Sequence, residues 1–252
     1  MRSAPIALCL LTLPGCQKDD NTPAPQPTVV IIDTIIVIDT VGVPPNFVAD
    51  ADGNLYPTTV IGSQRWMAEN LRTNHYANGD PIPYVPSTQW SLQTNGAWTN
   101  YDTDASYDEL YGKLYNGYTV VDPRNVCPQG WHVPTDTDWK GLESALGLPQ
   151  SELDLYGVRG SGANVGGQLK AIALWDDPNT GANDSAGFSG YPGGERLPSG
   201  AFFDLSTKGV WWSGSEYNTG LVWLREMLNS SAGVSPEYHL KAQGCSIRCV
   251  ED

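Results

Sequence analysis

Cys127-Pro128-Gln129-Gly130-Trp131-His132-Val133-Pro134-Thr135-Asp136-Thr137-Asp138-Trp139-Lys140-Gly141-Leu142-Glu143-Ser144-Ala145-Leu146-Gly147 holds the clearest helix of the chain. Thr135 can cap it, and Asp138 stands at the third helical position, as in a capping box with Asp replacing the usual Glu or Gln. Trp139, Leu142 and Leu146 share one face at helical spacing, and Gly147 stops the helix. Toward the C-terminus a second helix is expected from Gly166-Gly167-Gln168 through Leu169 and Ile172 to Trp175, with the glycines lowering its propensity. Beyond it the pattern is one of short strands: Val210–Trp212, Gly220–Met227 and Ser246–Val250. Toward the N-terminus, Asp50-Ala51-Asp52-Gly53-Asn54 reads as a turn. The strand Leu55–Ile61 follows, then the turn Gly62-Ser63 and a hairpin partner, Gln64-Arg65-Trp66-Met67. Asn78-Gly79-Asp80-Pro81, with Pro83 and Pro86, marks a long surface connection. Two helices among short strands predict an α+β fold rather than a doubly wound sheet.

Upstream of Phe47 the character changes. Gly42, Pro44 and Pro45 close a β-branched stalk in which Val30-Ile31-Ile32-Asp33-Thr34 is echoed by Val37-Ile38-Asp39-Thr40. Asp33 and Asp39 make a membrane span there costly. Farther upstream, Met1 and Arg2 precede the apolar stretch Ile6–Leu13, and Leu13-Pro14-Gly15-Cys16 resembles a bacterial lipoprotein signal, with Pro14 departing from its usual pattern. The resemblance implies a signal peptide over 1–15, a lipid-bearing Cys16, and a tether and stalk over 16–46; an ordinary secretion signal is the alternative. One domain is expected over 47–252. The implied location is outside the inner membrane, on the outer membrane or cell surface, held by the lipid alone.

The whole chain of 252 residues carries Lys+Arg 14 against Asp+Glu 28, a net charge of −14. Such a balance offers no basic patch to a nucleic acid, so that class of partner is excluded. Gly 27, Pro 19, Trp 9 and Tyr 12 suit a loop-rich extracellular fold held by aromatic packing.

Several segments together resemble the Fibrobacter succinogenes major paralogous domain of bacterial surface and secreted proteins. They are Asp52-Gly53-Asn54-Leu55-Tyr56, Ile61–Leu71 with its Gln64-Arg65-Trp66-Met67-Ala68-Glu69-Asn70-Leu71, and Tyr111–Asn116. Cys127–Thr135, Gly187–Gly194, Trp211-Trp212-Ser213-Gly214-Ser215-Glu216-Tyr217 and Ser246-Ile247-Arg248-Cys249-Val250 complete the set. The resemblance covers about residues 48–251. It implies a C-type lectin-like domain related to the formylglycine-generating sulfatase-modifying fold, with two helices among short, mostly antiparallel strands. It brings no defined activity and no general ligand.

The lectin-like resemblance further implies a Cys127–Cys249 bridge, which leaves Cys245 as a buried free thiol; Cys127–Cys245 is the competing bridge. Closing so long a loop is worth roughly 4–5 kcal/mol. A metal-dependent oxidase of the formylglycine-generating type would instead use Cys245 and Cys249 together, one residue closer than that family's usual spacing. The histidines His75, His132 and His239 lack metal-ligand spacing, and His132 reads as structural. The run Asp176–Asp184 offers hard oxygen ligands around Gly181, making Asp176, Asp177, Asn179, Asn183 and Asp184 candidate calcium ligands without EF-hand spacing; Asx-turns explain such residues equally well. Trp211, Trp212, Tyr217 and Trp223 are candidate ligand-binding aromatics, though Trp211 and Trp212 face opposite ways on a strand. The expected protein is thus a noncatalytic, lipid-anchored surface module for a glycan or surface protein, requiring no cofactor. The alternatives are a structural scaffold without a small ligand and the Cys245/Cys249 oxidase.

Overall fold

A computed structural model describes residues 43–86 and 88–252. The signal segment 1–15, the Cys16 anchor and most of the 16–46 stalk lie outside the described residues. Within them, the strands in chain order are β1 Phe47–Ala49, β2 Leu55–Ile61, β3 Gln64–Met67, β4 Trp98–Thr99, β5 Leu114–Asn116, β6 Trp131–His132 and β7 Glu195–Arg196. They continue as β8 Phe202–Phe203, β9 Lys208–Asn218, β10 Leu221–Leu228, β11 Ser235–Leu240, β12 Gly244–Cys245 and β13 Val250–Glu251. The helices are α1 Asp108–Tyr111, α2 Gly117–Val120, α3 Asp136–Ala145 and α4 Val165–Leu169, joined by short 3₁₀ turns. Mostly antiparallel sheets with few short helices make this a mixed, β-rich fold.

The sheets run β1-β2-β3-β13-β6, β11-β10-β9 and β4-β5-β12-β7-β8, and every strand pair in them is antiparallel. In the first, Val250 pairs with both Trp66 and His132, so the last strand lies between the N-terminal hairpin and the strand leading into α3. The hairpin turns at Gly62, where a Cβ would come within 2.8 Å of the Ala145 Cβ in α3. A side chain there would force the hairpin off the helix.

Helix α3 begins as the sequence predicts. The Thr135 side chain accepts from the Asp138 amide, and the Asp138 carboxylate accepts from the Thr135 amide at 2.8 Å. Such caps are worth about 1 kcal/mol. Trp139 and Leu142 are fully buried, and the Trp139 ring packs on Trp66 and Phe188 at centroid distances of 5.0 and 5.9 Å.

The second helix differs from the expectation. It ends at Leu169, not Trp175, because Lys170 leaves the helical conformation and buries its ammonium against three carbonyls: Thr180, Leu228 and Ser231 at 2.9, 3.0 and 2.8 Å. Ile172, which the spacing assigns to the apolar face, is 73% exposed. The C-terminal strands also redistribute. β9 runs to Asn218, β11 is an additional strand, and Ser246–Val250 is replaced by β12 and β13 with an irregular link between them.

That link carries the main polar node of the core. Arg248, fully buried, donates from Nε and Nη2 to Asn70 Oδ1 at 3.1 and 2.8 Å, and to the carbonyls of Met67, Phe188 and Ser189. Trp211 Nε1 donates to the same Asn70 oxygen at 2.8 Å, while Asn70 Nδ2 donates to the Tyr111 carbonyl. Burial without a carboxylate partner lowers the Arg248 pKa to about 9.

Candidate functional site

Trp211 and Trp212 project to opposite sides of β9, as alternation requires, and both sides are covered. Each ring is 0% exposed, Trp211 within the core around α3 and Trp212 within the core that holds the cysteines. Trp212 Nε1 donates to the Tyr115 carbonyl at 2.8 Å. This corrects the sequence reading: neither tryptophan can meet a ligand at the surface.

Tyr217 and Trp223 do come together. In the β11-β10-β9 sheet Trp223 stands directly opposite Tyr238, and an irregularity in the β9–β10 register brings Tyr217 alongside. Tyr217 and Tyr238 stack with centroids 4.1 Å apart and planes 4° from parallel, and Trp223 meets both edge to face at 5.4 and 5.5 Å. A fourth ring, Tyr156, lies over Trp223 at 5.7 Å and 30°. Tyr156 is 66% exposed, Tyr217 45% and Tyr238 38%, with Leu155 and Val158 exposed beside them. Sequence reasoning missed Tyr156 and Tyr238.

The segment bearing Tyr156 has little regular structure of its own, and Arg159 organises it. Arg159 Nη1 donates to the carbonyls of Leu153 and Leu155 at 2.6 and 3.0 Å, and its backbone pairs with Val234 just before β11. Its Nη2 meets the buried Glu143 carboxylate, which also accepts from Arg225 Nε at 2.6 Å. Arg225 reaches Asp136 at 2.7 Å, and Lys140 joins Asp136 and Asp154 at 3.0 and 2.6 Å. Burial pushes the Asp136 carboxyl up, but Arg225 and Lys140 hold it below its ordinary value. The network therefore ties α3 and the Tyr156 segment to β10.

Between the rings and the network lies a cavity of about 180 Å³, lined by Asp136, Lys140, Asp154, Arg159, Leu153, Leu155, Pro236, Tyr156 and Trp223. A second cavity, about 270 Å³, is lined by Glu69, Asn70, Arg72, Glu109, Leu110, Gly112, Ala173, Leu174 and Tyr191. It is larger but offers one aromatic ring, and Glu69 and Arg72 on its lining pair with each other at 2.8 Å. The first has the chemistry of a recognition site, apolar faces beside fixed polar groups.

The remaining candidates resolve individually. Cys127 and Cys249 form a disulfide with Cα atoms 5.9 Å apart, while Cys245 is a buried thiol that burial pushes up in pKa. Within the Asp176–Asp184 run three side chains are engaged in hydrogen bonds. Asp184 accepts from Ser189 N and Oγ at 2.8 Å each, Asn183 accepts from Ser185 N, and Asn179 donates to the Ala171 carbonyl. Among the described residues no three His, Cys, Asp or Glu side chains gather as metal ligands. Each histidine faces a carboxylate: His75 meets Asp52, His132 lies between Asp252 at 2.7 Å and Asp138 at 3.2 Å, and His239 is 3.6 Å from Glu226. Among the described residues no helix is long and apolar enough to cross a membrane.

Comparison with known proteins matches residues 60–251 to the family model described as the Fibrobacter succinogenes major domain. No curated protein and no solved structure matches the chain.

Proposed function

The chain belongs to the Fibrobacter succinogenes major domain family, and from that premise we propose that it is a noncatalytic, lipid-anchored surface protein displaying a lectin-like module that binds a glycan. The observation that carries this reading is the cluster of exposed Tyr156, Tyr217 and Tyr238 around a half-buried Trp223, beside a cavity with polar groups in its lining. Sugar rings present flat C–H faces that pack on aromatic rings, and hydroxyls that need fixed hydrogen-bonding groups beside them. Surface rings held by neighbours lose little entropy when a ligand arrives. The lectin-like assignment draws support from the Cys127–Cys249 bridge, which fastens the segment before α3 to the C-terminal strand. The noncatalytic assignment draws support from the same bridge. Oxidase chemistry through Cys245 and Cys249 needs both thiols reduced together, and Cys249 is committed to Cys127 while the Cys245 thiol is buried. The anchor at Cys16 and the surface location rest on the sequence of the first sixteen residues.

The test is a screen of the full-length chain against polysaccharides and outer-membrane glycans, with and without calcium. Binding is expected, and Trp223→Ala should weaken it at least about fivefold while the protein still unfolds cooperatively. A panel without any binder, or binding indifferent to Trp223→Ala and Tyr156→Ala, refutes the reading and moves the assignment to a structural scaffold.

A further inference from the structure

Two exposed aliphatic side chains line the second cavity: Leu110, in α1, is 50% exposed and Leu174 37%. Ile172, still more exposed, adjoins the lining residue Ala173. Scattered singly such residues need no explanation, but gathered at one cavity they mark an interaction surface. The backbone holds them there at a cost. Leu174 sits at φ +74°, in the left-handed region that a bulky side chain avoids. Its neighbours impose this. The Ala171 amide and the Trp175 indole both donate to the Gly190 carbonyl, at 3.1 and 2.9 Å, and the Asp176 amide donates to the Ser206 carbonyl at 2.8 Å. The chain is thus pinned on both sides of Ile172-Ala173-Leu174, and all three residues stay exposed instead of packing into the core.

Charge decides what kind of partner fits. Arg72, on the lining, donates from Nη1 to Glu69 at 2.8 Å and from Nη2 to the Leu55 carbonyl at 3.3 Å, so its charge is matched and both terminal nitrogens are engaged. Glu109, exposed on the same lining, has no ion-pair partner among the described residues. The lining therefore carries two carboxylates against one guanidinium. An anion would meet that surplus, and a sugar would find Tyr191 as its single ring. We infer that this cavity docks a protein partner through a Lys or Arg side chain. It is a surface separate from the proposed glycan site, with which it shares no lining residue. The aliphatic stem lies against Leu110 and Leu174 while the charged head reaches Glu109, an arrangement suited to long basic side chains. Ile172 offers cover to an apolar neighbour of the inserted residue.

NMR of the full-length chain with labelled Leu and Ile methyl groups tests this with three pentapeptides, capped at both ends and differing only at the centre. They are Gly-Leu-Lys-Leu-Gly and its counterparts with norleucine or glutamate in place of Lys. The Lys peptide should shift the methyl signals of Leu110, Ile172 and Leu174 saturably. Norleucine, which keeps the stem and loses the charge, should bind about two- to fivefold more weakly, and glutamate more weakly still. Glu109→Gln should bring the Lys peptide to the norleucine level, as should high salt. Leu174→Gly, whose glycine accepts the left-handed backbone, should weaken the Lys peptide as read at Leu110 and Ile172, while the protein still unfolds cooperatively. A norleucine peptide that binds as tightly as the Lys peptide, or affinity unmoved by Glu109→Gln, overturns the basic partner. Shifts that miss these three residues, binding indifferent to Leu174→Gly, or no shift with any peptide overturns the site, whatever the glycan screen shows.

Discussion

Replacing Asn70 by alanine should damage this protein far more than removal of one small side chain suggests. Asn70 Oδ1 is the acceptor for Trp211 Nε1 at 2.8 Å and for Arg248 Nε and Nη2 at 3.1 and 2.8 Å; its Nδ2 donates to the Tyr111 carbonyl at 2.8 Å. After truncation Arg248 Nη2 keeps the Ser189 carbonyl at 3.1 Å, but Arg248 Nε and Trp211 Nε1 lose the one acceptor they have among the described residues. Both residues are fully buried, so water does not replace it. A buried donor left unmet costs about 1–3 kcal/mol, more when it belongs to a charged group. Two such donors, one of them on a guanidinium, put the loss at about 3–5 kcal/mol, a large part of the ~5–15 kcal/mol that holds a domain together. Urea unfolding followed by tryptophan fluorescence, with the disulfide intact, reads this as a lower midpoint at unchanged slope. A double-mutant cycle with Arg248→Met adds a specific signature. Without the guanidinium there is one fewer donor to orphan, so Asn70→Ala should cost about 1–3 kcal/mol less in that background. A loss under about 1 kcal/mol, or a cycle with no coupling, refutes the account of Asn70 as the shared acceptor.

Three further outcomes are expected. Replacing both Cys127 and Cys249 by alanine opens a loop with sequence separation 122, which should cost about 5 kcal/mol in the chain-entropy estimate and appear as a lowered urea midpoint. The buried Cys245 thiol, which burial pushes up in pKa, should escape alkylation in the native protein and react on unfolding; peptide mapping that finds it modified in the folded state contradicts its placement. The Glu226 carboxylate raises the pKa of His239 above its ordinary value of 6.5. The fold thus favours the cationic imidazole, and this stabilisation, full below about pH 6.5, is lost as pH rises through the higher folded value. It should amount to less than about 1 kcal/mol for a partly exposed pair, and His239→Gln should flatten that part of the stability–pH curve.

The parts of this fold legible in the sequence are those written in local chemistry. The capping box of Thr135 and Asp138, the Trp139–Leu142 face and the Gly62-Ser63 hairpin turn each depend on residues a few positions apart, and each stands where its pattern places it. The second helix failed because a contact distant in the chain outweighed local spacing. Three carbonyls from Thr180, Leu228 and Ser231 hold the Lys170 ammonium and end the helix before Ile172 can join an apolar face. The candidate site divides along the same line. Alternation correctly set Trp211 and Trp212 on opposite sides of a strand, but whether a side is covered depends on what packs there, and both are covered. Tyr217 and Trp223 stand among the candidate aromatics read from the sequence, whereas Tyr156 is carried to them by a loop that Arg159 organises. That residue gathers the loop carbonyls around Leu153 and Leu155 and is itself held by Glu143.

The same reasoning separates the family's motif residues from the exposed aromatic surface around Tyr156. Asn70, Trp211 and Arg248 come from three of the segments that carry the resemblance, and they meet at one buried oxygen. Their chemistry is consumed in joining the N-terminal hairpin, β9 and the C-terminal link. Tyr156, in contrast, sits outside those segments, on a loop whose exposed side chains make no contribution to that node. A scaffold fixed by the motifs and a surface set by a loop between them can vary independently. Proteins with the Asn70–Trp211–Arg248 node should therefore share the fold, while the proposed glycan binding should follow the ring at the position of Tyr156. Grafting the segment 152–159 into another chain that has the node, and finding that ring-dependent sugar binding does not travel with it, would contradict this division.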